Sequence, residues 1–138
     1  MSLHPNPVPP VPAKTARIAH AAFPNSNIFL QVRDQLGAIF ADHDFAALFS
    51  PRGQPAEAPW RLSLVTIMQY AQGLSDRQAA DAVRSRIDWK YVLSLELTDA
   101  GFDSTVLCEF RGRLLNGQVE QLMLDALLIA FSSRVFRG

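Results

Sequence analysis

The chain has 138 residues, 49% of them hydrophobic, and its 13 basic and 13 acidic side chains leave a formal net charge of zero. That is one domain's worth of sequence with enough apolar residues to bury a core, so a disordered chain is excluded. No apolar run reaches the ~18 residues of a membrane span, and the start, "MSLHPNPVPPVPAKTARIAH", has no apolar centre of the signal-peptide kind. A cytoplasmic protein is expected, without the excess of basic charge that marks most nucleic-acid-binding domains.

Residues 1–24 read as a disordered, proline-rich tail. "HPNPVPPVP" puts five prolines in nine residues, which removes backbone donors and favours extended polyproline II. It serves either as a plain lead-in or as a ligand for a proline-recognising domain. From Asn25 the pattern turns helical: Ile28, Val32, Leu36, Ile39 and Phe40 recur at three- and four-residue spacing, with Asn25 or Ser26 as cap. A short turn over 44–49 follows, then a loop, "SPRGQPAEAP", with three prolines and a glycine.

The central block opens at Trp60. Ser63 is the expected cap of "LVTIMQYAQ", whose apolar face holds Leu64, Ile67, Met68 and Ala71. Gly73 stops that helix, since glycine takes the left-handed conformation without steric cost. Ser75 starts the next, with Gln78 completing a capping box, and Ala79, Ala82 and Val83 form its narrow inner face. A third short helix carries Trp89, Val92 and Leu93. After the loop "ELTDAGFD", Asp103 or Ser104 caps a helix with Val106, Leu107, Phe110 and Leu114 on one side, broken at Gly117. The last helix, "QVEQLMLDALLIAFSSRVF", is apolar nearly all round. No segment alternates with period two. The fold expected is all-α: a small multi-helix domain over 25–135 with a helix-turn-helix-like hairpin.

Little here points to catalysis. Cys108 stands alone and sits at helical spacing in "TVLCEFRGRLL", which fits a small buried hydrophobe. The three histidines all lie in the first third of the chain and make no ligand pattern with it, so no metal is expected. Asp76 suits the first turn of its helix, Asp103 is a cap, and Asp81 with Arg84 is an ordinary helical ion pair. The turn Gly73–Leu74–Ser75 does have the spacing of a DNA-reading helix-turn-helix. Arg77, Arg84, Arg86 and Lys90 are then candidates for phosphates or guanine edges, and Arg111 and Arg113, two apart, cannot share one helix face. Between Arg61 and Arg113, however, seven basic residues face seven acidic ones. Taken by itself, the hairpin fits a corner in a helical core better than a DNA reader.

The order of these pieces resembles a known family. "PWRLSLVTIMQYAQ" runs into "GLSDRQAADAVRSRIDWKYVLSLEL", and a loop ending in "GFD" leads to "STVLCEFRGRLL". This is similar to the helical N-terminal domain of bacterial DDE-type insertion-sequence transposases, most closely over 59–115. Such domains carry a Gly-Leu-Ser-Asp-Arg turn, a Trp-Lys helix and a Ser/Thr-led helix with Phe-Arg-x-Arg-Leu. The resemblance implies binding of double-stranded DNA at the element's terminal inverted repeats, in or about the nucleoid, and self-association or docking on full-length transposase. It implies DNA contacts by Arg77, Arg84, Arg86, Lys90, Arg111 and Arg113. In the family a ribonuclease-H-like domain follows, where three carboxylates hold two Mg ions for phosphodiester chemistry. Because "LLIAFSSRVFRG" offers no strand and no following Asp, the expectation is a chain that binds without cutting: a decayed copy, a frameshifted first half or a truncated form, and no enzyme on its own. The competing expectation is a protein–protein module that dimerises or inhibits a full-length transposase.

Overall fold

A computed structural model describes residues 9–40, 59–116 and, within a C-terminal helical stretch, 121–122, 124–125 and 127–129, with backbone alone at 37–40 and 59. The predicted turn at 44–49, most of the loop before Pro59 and the break at Gly117 lie outside these residues. Six helices take the labels used below: α1 (Ala13–Ala22), α2 (Ile28–Phe40), α3 (Pro59–Gln72), α4 (Asp76–Ser85), α5 (Ile87–Val92) and α6 (Ser104–Leu115). Among the described residues there is no strand, so the fold is all-α.

The N-terminal lead-in ends sooner than expected. Residues 13–22 are helical, starting directly after Pro12, and α1 is part of the packed fold. Its Thr15 hydroxyl donates to the Leu95 carbonyl at 2.7 Å, across 80 residues of sequence. Ala19 is fully buried, in a satellite cluster with Leu30 and Tyr91. The expectation of a tail through residue 24 misses this because "AKTARIAHAA" offers only a weak apolar stripe. What holds α1 is contact made from far along the chain.

Two caps also sit elsewhere. Asn27, not Asn25 or Ser26, starts α2: its side-chain oxygen accepts from the Leu30 N–H at 3.0 Å. Ser26 instead adopts φ +64 in the turn before it. In α3 the helix begins at Pro59, where a missing N–H costs nothing, and Ser63 lies buried inside the helix with no hydrogen-bond partner for its Oγ. The wide apolar face of α3 explains the difference. Trp60, Leu62, Leu64, Val65, Ile67 and Met68 are all buried, so the helix gains by extending back to cover Trp60.

The core gathers Trp89, Phe110, Leu62, Leu64, Met68, Leu93, Leu107 and Leu127, each essentially without exposure. At its centre is the shortest helix. An isolated six-residue helix is unstable in water, yet α5 has Asp88 through Val92 buried and packs against α1, α2 and α4. Leu127 and Leu124 bring the C-terminal helical stretch onto this core. The same stretch leaves Leu122 and Ile129 exposed. Cys108, expected to be buried, is exposed. The inner seam of α6 is Val106, Leu107, Phe110 and Leu114, and a residue 100° round from Leu107 and away from Phe110 points outward.

Candidate nucleic-acid interface

The corner between α3 and α4 is built by local chemistry. Gly73, at φ +65, places its N–H on the Tyr70 carbonyl, and the Leu74 N–H reaches the Gln69 carbonyl at 3.0 Å. These are the two bonds of a Schellman stop. Ser75 then accepts from the Gln78 N–H at 3.1 Å, while the Gln78 side chain accepts from the Ser75 N–H at 2.9 Å. The expected capping box is present, so the entry angle of α4 is set at both ends of the turn. Beyond it, Ala79, Ala80, Ala82 and Val83 are buried, and these small side chains let α4 lie close against its neighbours.

Most of the arginines and the lysine singled out in the sequence serve this fold. Asp76 accepts a two-pronged grip from Arg111, at 2.5 and 2.6 Å, and a third bond from the Gln69 amide at 2.9 Å. One carboxylate thus ties α3, α4 and α6 together. The Arg111 bond, foremost, holds Asp76 below the usual carboxylate range, and the same bond raises Arg111. Arg86 closes on Asp88 through Nε (3.1 Å) and a terminal nitrogen (2.7 Å), donates to the Gln72 side chain at 2.9 Å, and lies over the rings of Phe29 and Trp89. Asp88 is buried and takes further bonds from Asn27 and the Trp89 N–H, so its charge is fully satisfied.

Lys90 is buried as well. Its ammonium donates to the Asp99 carbonyl at 2.6 Å, and burial lowers its pKa. Lys90 thus turns inward, not outward as expected, because α5 is buried from Asp88 to Val92 at the centre of the core; Arg86, just before α5 and with its side chain 38% exposed, is engaged by Asp88 and Gln72. Arg113 lies 5.7 Å over the Phe110 ring, on a different side of α6 from Arg111, as their spacing requires.

Two of the six remain on an open face. Arg77 is exposed and makes no hydrogen bond or ion pair within the described residues, although its charge helps to lower the pKa of Asp103, after the bonds from Thr105. Arg84 is half exposed and pairs with Asp81 one turn before it, as expected. Seven residues apart, Arg77 and Arg84 lie on one side of α4, about 10 Å apart along its axis. Gln78, Asp81 and Ser85 are exposed beside them.

Two further cations escape the sequence reading. Lys14 and Arg17 are exposed on α1 and make no hydrogen bond or ion pair among the described residues. The signal that could have found them is the position of the first acidic residue, Asp34. Among the described residues, no three His, Cys, Asp or Glu side chains gather as a metal site would require, and no helix is long and apolar enough to cross a membrane.

A capped helical hairpin, locked to a third helix by a shared carboxylate and showing a mixed cationic and polar outer face, defines the class of domain. Residues 18–113 match the family described as Transposase domain (DUF772). The match spans more than half of the chain, which belongs to that family. It begins at Ile18, inside α1, and so takes in the second half of a helix expected to be tail. No curated protein and no solved structure matches the chain.

Proposed function

We propose that this domain binds duplex DNA at the ends of an insertion sequence and helps assemble the transposition complex. Its outer α4 face lies in the major groove. The observation that carries the reading is that face. On a helix held at its start by both a Schellman stop and a capping box, Arg77 and Arg84 flank Gln78, Asp81 and Ser85, the side-chain types that read base edges and phosphates. The Arg84–Asp81 pair is no obstacle. An exposed ion pair is worth ~0.2–1 kcal/mol, so a phosphate or a guanine edge can displace Asp81. Family membership supports the same reading. No phosphodiester chemistry and no cofactor are assigned to these helices; both belong to the Mg-dependent catalytic domain that the family resemblance implies.

The test is binding of the purified chain to a duplex carrying the terminal repeat and to a scrambled duplex, over a salt series. Tighter binding to the repeat, lost in Arg77→Ala/Arg84→Ala with the melting temperature unchanged, is the expected result. Equal affinity of this variant and the parent for the repeat would remove α4 from the interface. A second reading, self-association or docking on a full-length transposase, is favoured by Leu115 at 88% exposure and Leu122 at 54%. Sedimentation of the DNA-free chain distinguishes it: a concentration-dependent dimer lost in Leu115→Glu/Leu122→Glu would favour the assembly role.

A further inference from the structure

We propose that α1 is a second DNA-contacting element, an anchor for backbone phosphates formed by Lys14 and Arg17. This rests on the DNA-binding reading above and adds to it a surface that the hairpin does not supply.

The net charge of zero hides a strong asymmetry. Residues 1–33 contain three of the thirteen basic residues and none of the thirteen acidic ones; the other 105 residues hold ten basic and thirteen acidic, a net charge of −3. Within the basic segment, Arg33 is buried and bonded to Ser94 and the Pro9 carbonyl. Lys14 and Arg17 carry the rest. They are three residues apart and so share one side of α1. Elsewhere in the described fold, most cations of the motif are neutralised or held: Arg84 by Asp81, Arg86 by Asp88, Arg111 by Asp76, and Lys90 by a carbonyl, while Arg77 stays open on α4. On α1 nothing neutralises them, and the side of the molecule they occupy attracts a polyanion.

The support under these cations is firm. The Thr15 bond to Leu95 fixes the first turn of α1, Ala19 is buried, and the His20 ring meets the edge of Tyr91 at 5.4 Å. Just before the helix, Arg33 holds the Pro9 carbonyl at 3.3 Å. Lys14 and Arg17 therefore lose only side-chain freedom on binding, not the order of a whole segment. Both α1 and α4 pack on α5, which makes them parts of one unit.

Composition separates the two helices by task. The outer face of α4 mixes arginine with glutamine, aspartate and serine, and such side chains read bases. In "AKTARIAHAA" there is no Asn, Gln or Ser, and its Thr15 is buried on Leu95. Two long cations among alanines suit phosphates, whose contacts position a protein without reading sequence.

The experiment uses the full chain and its Lys14→Ala/Arg17→Ala variant, with fluorescence anisotropy on repeat-bearing and scrambled duplexes over a salt series. Each phosphate contact contributes roughly 0.9 to the slope of log affinity against log salt, so the variant's slope should fall by about 2. Affinity should drop by the same factor on both duplexes, and Lys14→Arg/Arg17→Lys should restore the slope. Circular dichroism confirms that the variants fold. DNA binding with an unchanged slope overturns the α1 anchor and leaves the α4 reading standing. Loss confined to the repeat duplex overturns it too, since that is base readout. If the parent chain binds neither duplex at low salt, the DNA-binding reading itself falls, and the anchor with it.

Discussion

At the corner of α3, α4 and α6, the Arg111 guanidinium sits on Asp76 at 2.5 and 2.6 Å, and nearby Arg86 is shared between Asp88, Gln72 and two aromatic rings. On α1, Lys14 and Arg17 reach into solvent, and no acidic residue precedes Asp34. The recognisable motif arginines thus largely fasten the fold to itself, with Arg77 the exception, while further unneutralised charge lies where the motif is silent. A family pattern that includes Asp with Arg records partners as readily as ligands. The basic residues to examine for DNA contact are those the structure leaves unsatisfied.

Removing a fastener should have the largest effect. Arg86→Ala leaves the buried Asp88 carboxylate with only Asn27 and a backbone N–H, and leaving a buried acceptor short of its partner costs ~1–3 kcal/mol. Urea denaturation measures it. A loss below ~1 kcal/mol would mean that Arg86 is not committed to the fold, and the contrast between corner and α1 would fail at its strongest point.

The glycines come next. Both Gly73 and Gly101 have positive φ, +65 and +77, where an alanine is strained by ~1–2 kcal/mol. Around Gly73 an added Cβ meets nothing within 4 Å, whereas at Gly101 it comes within 3.1 Å of a Val83 methyl. Gly101→Ala should therefore destabilise more than Gly73→Ala in thermal melts. Equal losses would show that Val83 gives way and that the "GFD" loop is not wedged against α4.

The smallest effect is expected at Asp76. Its partner Arg111 is partly exposed, so Asp76→Asn should cost ~1 kcal/mol or less at neutral pH. The pH dependence sharpens the test. Because the folded carboxyl is held below its ordinary value of about 3.9, its stabilisation is present above that pH and disappears as pH falls through the lowered folded value. The parent melting temperature should thus converge on that of Asp76→Asn below about pH 4. A constant gap down to strong acid would show that the Arg111 grip does not depend on the carboxylate charge. Tyr91 behaves oppositely: burial, helped by its bond to Asp34 at 2.6 Å, pushes its hydroxyl up to about 12.

Helix boundaries and inner faces were legible where the pattern is local and strong. The Gly73 stop, the Ser75–Gln78 box, the Asp103 cap and the Leu107–Phe110 seam all follow from residues within a turn or two of each other. The Asp81–Arg84 pair was legible for the same reason. Illegible features depend on partners distant in sequence. Asp76 reads as a helix-start charge, yet its main partner is 35 residues on. Lys90 reads as a surface cation beside Trp89 until the Asp99 carbonyl is brought over it. Cys108 reads as core because its neighbours are apolar, but only one side of α6 is covered.

The sequence by itself determined the all-helical class, the capped turn between α3 and α4, and the family order of motifs, because periodicity and capping act over three to five residues. It also contained the charge asymmetry that places the first acid at Asp34. Only the tertiary structure decided which cations are spent and which are available. It drew α1 into the fold through the Leu95 carbonyl and turned the "Trp-Lys" helix into a buried centre. The physical reason is that an ionic side chain's role depends on whether a partner lies within hydrogen-bonding reach and whether water is excluded. Spacing along the chain does not carry that information.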